Sequence, residues 1–194
     1  MVLPIVAYGD PVLRRVGKDI DKDYPGLEEL IENMKETMKN AQGVGLAAPQ
    51  VGRDIRLFLI DASPFSENED LEEEERAFLK DFKRTFINAR IVEEQGDEWA
   101  FNEGCLSIPN INEDVYRPEI IHVEYLDEDF EERQETLTGL AARIFQHEYD
   151  HIEGILFTDK LSSLKKRLLK KKLENISKGK VDVSYRMKFP NIKK

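Results

Sequence analysis

The sequence predicts an α+β fold in a single domain, residues 1–194, with antiparallel β-sheets packed around a central helix and a further helix near the C-terminus. Three observations predict it. Apolar residues recur at helical spacing in three separate stretches, 27–38, 137–154 and 161–176. Strand-like runs cluster between residues 55 and 126, apart from the helical stretches. A chain of 194 residues has length enough for one real core and does not require a second domain.

Residues 1–25 carry the turn signals Tyr8-Gly9-Asp10-Pro11 and Tyr24-Pro25-Gly26 around short apolar pieces, which predicts an irregular arm lying on the domain. Leu27, Leu30, Ile31, Met34 and Met38 then mark a core-packing helix whose other face carries Glu28, Glu29, Lys35 and Lys39. Gly43-Val44-Gly45-Leu46-Ala47-Ala48-Pro49-Gln50 follows as a small, apolar loop. Its glycines let the backbone approach a ligand, and Gln50 offers an amide that both donates and accepts. It lacks the Lys-Ser/Thr ending of a phosphate loop and the G-x-G-x-x-G spacing. On its own it reads as a tight turn followed by a strand.

Ile55–Ile60 reads as a buried strand. Residues 66–81 carry eight acidic and two basic residues, which predicts a solvated acidic insertion. Thr85–Val92 and Glu98–Leu106 read as strands joined in a hairpin at Gln95-Gly96-Asp97, and Val115–Leu126 as another strand. His122 falls within that last alternation and is left out of the candidate site. Residues 161–176 form a basic amphipathic helix with an apolar stripe of Leu161, Leu164, Leu168, Leu169, Leu173 and Ile176.

The chemistry lies in Gln146-His147-Glu148-Tyr149-Asp150-His151, an H-E-x-x-H pattern. On a helix His147 and His151 sit one turn apart on one face and can share a metal, with Glu148 beside it but not bound to it. Such an ion lowers the pKa of a bound water towards ~7, and an adjacent carboxylate can take the proton and return it to a leaving amine. The same pentapeptide occurs on solvated helices without function. Here Leu137, Leu140, Ala141, Ile144 and Phe145 precede it at helical spacing, which places the histidines at an interior cleft. Thr136 or Thr138 can cap this helix and Gly154 can end it.

Composition narrows the rest. With 39 acidic and 29 basic residues the net charge of −10 disfavours a general nucleic-acid binder, DNA included. The first residues lack a basic flank and a long apolar run, and no segment approaches the ~20 apolar residues of a membrane span, so a soluble, cytoplasmic protein is expected. Cys105 is the one cysteine, which excludes an internal disulfide and suits a reducing compartment. With His122, His147 and His151 as the three histidines, a third protein ligand must be Cys105, His122 or a carboxylate. Cys105 stands in Glu103-Gly104-Cys105-Leu106-Ser107-Ile108-Pro109, whose glycine and proline suit a strand end open to a ligand.

Three stretches together, G-V-G-L-A-A-P-Q at 43–50, E-G-C-L-S-I-P at 103–109 and Q-H-E-Y-D-H at 146–151, resemble the peptide deformylase family, over a span from about Leu3 to Leu164. The resemblance implies that Cys105, His147 and His151 bind one Fe(II), replaceable by zinc, nickel or cobalt, with water in the fourth position. It implies Glu148 as general acid and base, and Gln50 and the backbone N–H of Leu106 as oxyanion donors. Gly45 would receive the substrate backbone, while Val44, Leu140 and Ile144 would line a methionine pocket with Arg143 at its rim. The substrate would be the nascent formyl-methionyl polypeptide, and Lys165–Lys172 would dock on the ribosome. Two departures stand out: Ile87-Asn88-Ala89 where many members read I-N-P, and the longer acidic insertion. Two competing readings are an H-E-x-x-H zinc endopeptidase, for which no downstream histidine supplies a ligand, and a protein that only holds formylated chains, which would need a damaged Glu148 or Gln50.

Overall fold

A computed structural model describes residues 1–192; the last two residues of the basic tail lie outside the described residues. Two long strands, β4 (Lys83–Cys105) and β5 (Ile108–Leu126), pair antiparallel along most of their length. They form the spine of a five-stranded antiparallel sheet whose other members are β2 (Gly45–Ala47), β3 (Leu57–Asp61) and β6 (Glu132–Thr138). The order is β2-β3-β4-β5-β6. β1 (Ile5–Val6) and β7 (Met187–Lys188) pair separately, in parallel. The α+β expectation is met.

The Gln95-Gly96-Asp97 hairpin is corrected. These residues lie inside β4, where the pairing slips between Gln95↔Ile120 and Glu98↔Pro118. A glycine at φ 79° there serves an irregular bend in one continuous strand. The real hairpin is ten residues beyond Gly96, at Leu106-Ser107, where Cys105 pairs with Ile108. The Ile87-Asn88-Ala89 departure also acquires a role: Asn88, at φ 53°, accepts from the Ile20 N–H and donates to the Ile20 carbonyl, tying the N-terminal segment to the sheet.

Helix α1 (Leu27–Asn40) buries the expected stripe, including Leu30, Ile31 and Met34. The N-terminal arm is more deeply built in than a surface arm, since Ile5, Val6, Val12 and Leu13 are buried. The acidic stretch is not simply solvated. It folds into a short 3-10 turn and α2 (Glu73–Lys80), which buries Leu79 and places Glu75 at the start of the next helix. That helix is α3 (Gly139–Ile152), which carries the H-E-x-x-H residues. Thr138 occupies its N-cap position, yet its side chain makes no capping bond; Glu75 Oε1 instead accepts from the Leu140 N–H at 2.9 Å. A carboxylate at this end also complements the helix dipole. After α3, Gly154 at φ 74° turns the chain so closely against the Arg14 carbonyl that a Cβ would lie 2.6 Å from its oxygen.

α3 sits on the sheet through an aromatic cluster in which the Phe145 ring meets Phe58 and Phe86 edge-on, at centroid distances of 5.1 and 5.0 Å. Such packing fixes the helix rotation and so the direction of its histidines. α4 (Ser163–Ser177) follows, capped by Ser162. Its apolar stripe is narrower than expected: Leu169, Leu173 and Ile176 are buried, but Leu164 and Leu168 are 61% and 69% exposed.

Candidate metal centre and active site

The two-residue turn after β4 brings Cys105 to the face of α3 that carries the histidines. The sulfur lies 3.3 Å from Nε2 of His151, and donor atoms of Cys105, His147 and His151 all fall within 4.8 Å of one another. Two ligands of a tetrahedral ion with ordinary bond lengths stand roughly 3.6 Å apart, so the set is of the right size for one cation. His122 takes no part; its Nδ1 pairs with the Thr136 hydroxyl on an exposed face.

His147 has a supporting partner, whereas the buried Nδ1 of His151 has none among the described residues. Glu103 Oε1 lies 2.8 Å from His147 Nδ1. A carboxylate can only accept, so Nδ1 carries the proton and Nε2 keeps its lone pair for a metal. Glu103 is 4% exposed and also accepts from Arg117 Nε and Nη2 and from Arg143 Nη1. Arg117 in turn donates to Asp150 at 2.7 Å, so two buried carboxylates and two buried guanidiniums form one network behind the ligands. Burial would raise the Glu103 carboxyl, but hydrogen bonds from His147 and Arg117 hold it well below the usual range. Burial keeps His151 well below its ordinary value. A neutral imidazole is the metal-binding form.

Glu148 follows His147 on α3 and is buried, with Oε2 lacking a hydrogen-bond partner. Burial pushes its pKa up to about 7, with the Glu103 charge adding to the rise and His147 and Arg117 opposing it. A half-buried cysteine sulfur, two imidazoles and an unpartnered carboxyl beside them fit a catalytic cation. β2 explains why this carboxyl has room: a Cβ on Gly45 would lie 2.7 Å from the Glu148 Cδ and 2.8 Å from its Cγ. Only glycine permits that approach.

Gln50 is placed by a 3-10 turn after β2. Its Oε1 accepts from the Ala47 N–H at 2.9 Å, which fixes the amide so that Nε2 points towards Ser107 Oγ at 3.2 Å and Cys105 Sγ at 3.5 Å. Gln50, Glu103, Cys105, His147 and Glu148 border a cavity of about 740 Å³ that Val44, Gly45, Leu106 and Ile144 also line.

Two expected positions differ. Leu140 does not line the cavity; it is buried in the core beside Ala141 and Phe145. Arg143 touches the cavity but is no rim residue, for it is 2% exposed, pairs with Glu103 and stacks its guanidinium 4.5 Å from the Trp99 ring centroid. Glu103, Arg117, Ser107 and Asp150 join the site from outside the expected set. For Glu103 a signal existed, because residues two apart on a strand share a face, which sets it beside Cys105.

The chain is similar to known proteins along almost its whole length. The family described as Polypeptide deformylase matches residues 2–167. A peptide deformylase of Christiangramia forsetii is 66% identical over 194 residues, covering 100% of this chain and 99% of its own. One from Cytophaga hutchinsonii is 55% identical over 190 residues, covering 98% of each. The crystal structure of a peptide deformylase from Legionella pneumophila superposes with a TM-score of 0.77 at 35% identity, covering 93% of this chain and 98% of that one. With identity this high across almost its whole length, the chain belongs to the peptide deformylase family.

Proposed function

We infer that this chain hydrolyses the N-formyl group from the N-terminal formylmethionine of newly made polypeptides, releasing formate and a free amine. The observation that carries the reading is the cluster of Cys105, His147 and His151 beside the buried Glu148, at a cavity that Cys105, His147 and Glu148 line. Fe(II) is the ion proposed for Cys105, His147 and His151, with zinc, nickel or cobalt able to replace it; a mixed thiolate and imidazole set suits all four. Bound there, the ion would act as a Lewis acid and lower the pKa of a water towards ~7.

The chain's own residues do the rest. Glu148 takes the proton of the attacking water and delivers it to the departing amine nitrogen, a task suited to a carboxyl near neutrality. The Gln50 amide and the Leu106 N–H donate to the oxygen on which negative charge develops at the formyl carbon. Gly45 receives the substrate backbone at the cavity edge, and Val44 and Ile144 form the wall for the methionine side chain.

The competing endopeptidase reading needs Cys105 to be dispensable, and its position 3.3 Å from His151 argues against that. The test is formate release from formyl-Met-Ala-Ser by iron-loaded protein, run beside cleavage of an unformylated peptide. Release of formate alone is expected. Internal cleavage without formate would overturn the reading.

No helix among the described residues is long and apolar enough to cross a membrane. The proposed setting is the cytoplasm, where nascent chains emerge, and the proposed docking element is α4. Its Lys166, Arg167, Lys170, Lys171 and Lys172 stand beside the exposed Leu164 and Leu168, whereas Lys165 is held by Glu113 at 2.8 Å. Neutralising those five cations should weaken ribosome binding and make it less sensitive to salt; unchanged affinity would exclude α4 as the contact.

A further inference from the structure

The segment after α4 returns across the molecule to the catalytic cavity. Val181, Val183, Tyr185, Met187 and Phe189 alternate with the exposed Asp182, Ser184, Arg186 and Lys188. This period of two turns one side of an extended strap towards the core, where Val181, Met187 and Phe189 pack. Both parts of the strap are tied down. The Asp182 carbonyl accepts from Asn110 Nδ2 at 2.9 Å, and β7 receives the Ile5 and Ala7 N–H groups at 3.0 and 2.9 Å, on Arg186 O and Lys188 O. Between these ties, Asp182 to Tyr185 line the same cavity as Cys105, Gln50 and Glu148. The strap lies beyond residues 2–167, the part matched by the family.

Tyr185 makes the decisive contact: its hydroxyl donates to the Leu106 carbonyl at 2.7 Å across 79 residues of sequence. That carbonyl belongs to the central peptide of the Cys105-Leu106-Ser107-Ile108 turn. The central peptide is the one that reverses when a β-turn changes type, with ψ of its first residue and φ of its second each swinging by roughly 150° or more. A reversal would therefore disturb Ser107, whose Oγ is the partner of Gln50 Nε2. The Ser107 carbonyl is held independently by the Tyr8 N–H at 2.9 Å. Tyr185 thus holds the peptide that leads into Ser107, the partner of the Gln50 amide.

We propose that Tyr185 is a positioning residue for deformylation, with the C-terminal strap as its support: its hydroxyl locks the Leu106–Ser107 peptide so that Ser107 keeps the Gln50 amide aimed at the reacting carbonyl. The proposal rests on the deformylase reading of the cavity.

Tyr185→Phe keeps the ring and its packing and removes the one hydrogen bond. Wild type and variant, both loaded with the same metal, are compared for formate release from formyl-Met-Ala-Ser and for amide hydrogen exchange. A fall in kcat of about five- to tenfold is expected, the equivalent of one hydrogen bond, with KM changed less than about twofold. Exchange should quicken in the 104–109 segment and remain unchanged in α1, with or without metal. Unchanged kcat and unchanged exchange at 104–109 would overturn the proposal, as would equal acceleration throughout the protein, which marks mere loss of stability. Absence of formate release by the wild type would instead overturn the deformylase reading, and the exchange result would still decide whether Tyr185 locks the turn.

Discussion

Burying a carboxyl without a partner for one oxygen makes its ionised form costly, and Glu148 is in that position at about pKa 7. Between its unfolded value near 4.5 and its folded value, the native state binds the extra proton, so stability falls as pH rises through this window. Glu148→Gln abolishes the term. The metal-free variant should therefore be more stable than metal-free wild type above about pH 7, by on the order of 1–3 kcal/mol, and no more stable below pH 4.5. Denaturant titrations at pH 4 and 8 check this; equal stability at pH 8 would contradict the burial account. Glu103 has the opposite sign. Its depressed pKa contributes stability that is present above about pH 4.5 and is lost as pH falls below it. Glu103→Gln leaves Arg117 and Arg143 short of a buried counter-charge and removes the acceptor that orients His147. A loss of about 3–5 kcal/mol in stability and of about 10–100-fold in metal affinity is expected, measured by unfolding and by competition with a chelator.

At the scale of elements, the metal helix depends on a neighbour that looked expendable. α2 supplies Glu75 to the first turn of α3, replacing the cap that Thr138 does not provide. Glu75→Ala should cost about 1 kcal/mol and fray the start of α3, seen as faster exchange at Leu140. Unchanged exchange there would mean that the Phe145 packing alone holds the helix end. The stripe on α4 also has a simple geometry. Leu164 and Leu168 are four apart and share one face, while Leu169, Leu173 and Ile176 share another about 100° away, and only the second meets the core. Periodicity located the helix, but it gave no measure of how wide an arc the core would cover.

Across the whole molecule, what could be read in advance was local. The motif residues, the span of α1 and the helical setting of His147 and His151 follow from spacing, because a period of 3.6 is a short-range signal. The reading failed where two distant segments meet. Gln95-Gly96-Asp97 carries the marks of a turn, yet pairing with β5 holds it in a strand. Leu140 has the helical phase of an apolar face, but that face divides between core and cavity, which only packing decides. The alternation from Val181 to Phe189 was visible in the residues, whereas its destination beside Leu106 depends on β1 pairing with β7.

The central claim is that Cys105, His147 and His151 form the metal site while Glu148 moves the proton. It is tested most directly by measuring metal content and formate release on one anaerobic preparation each of wild type and Glu148→Ala. The account predicts about one metal per chain in both, with release lowered at least ~10²-fold in the variant. A variant that releases formate at the wild-type rate, or one that loses its metal, would contradict the roles assigned to these four side chains.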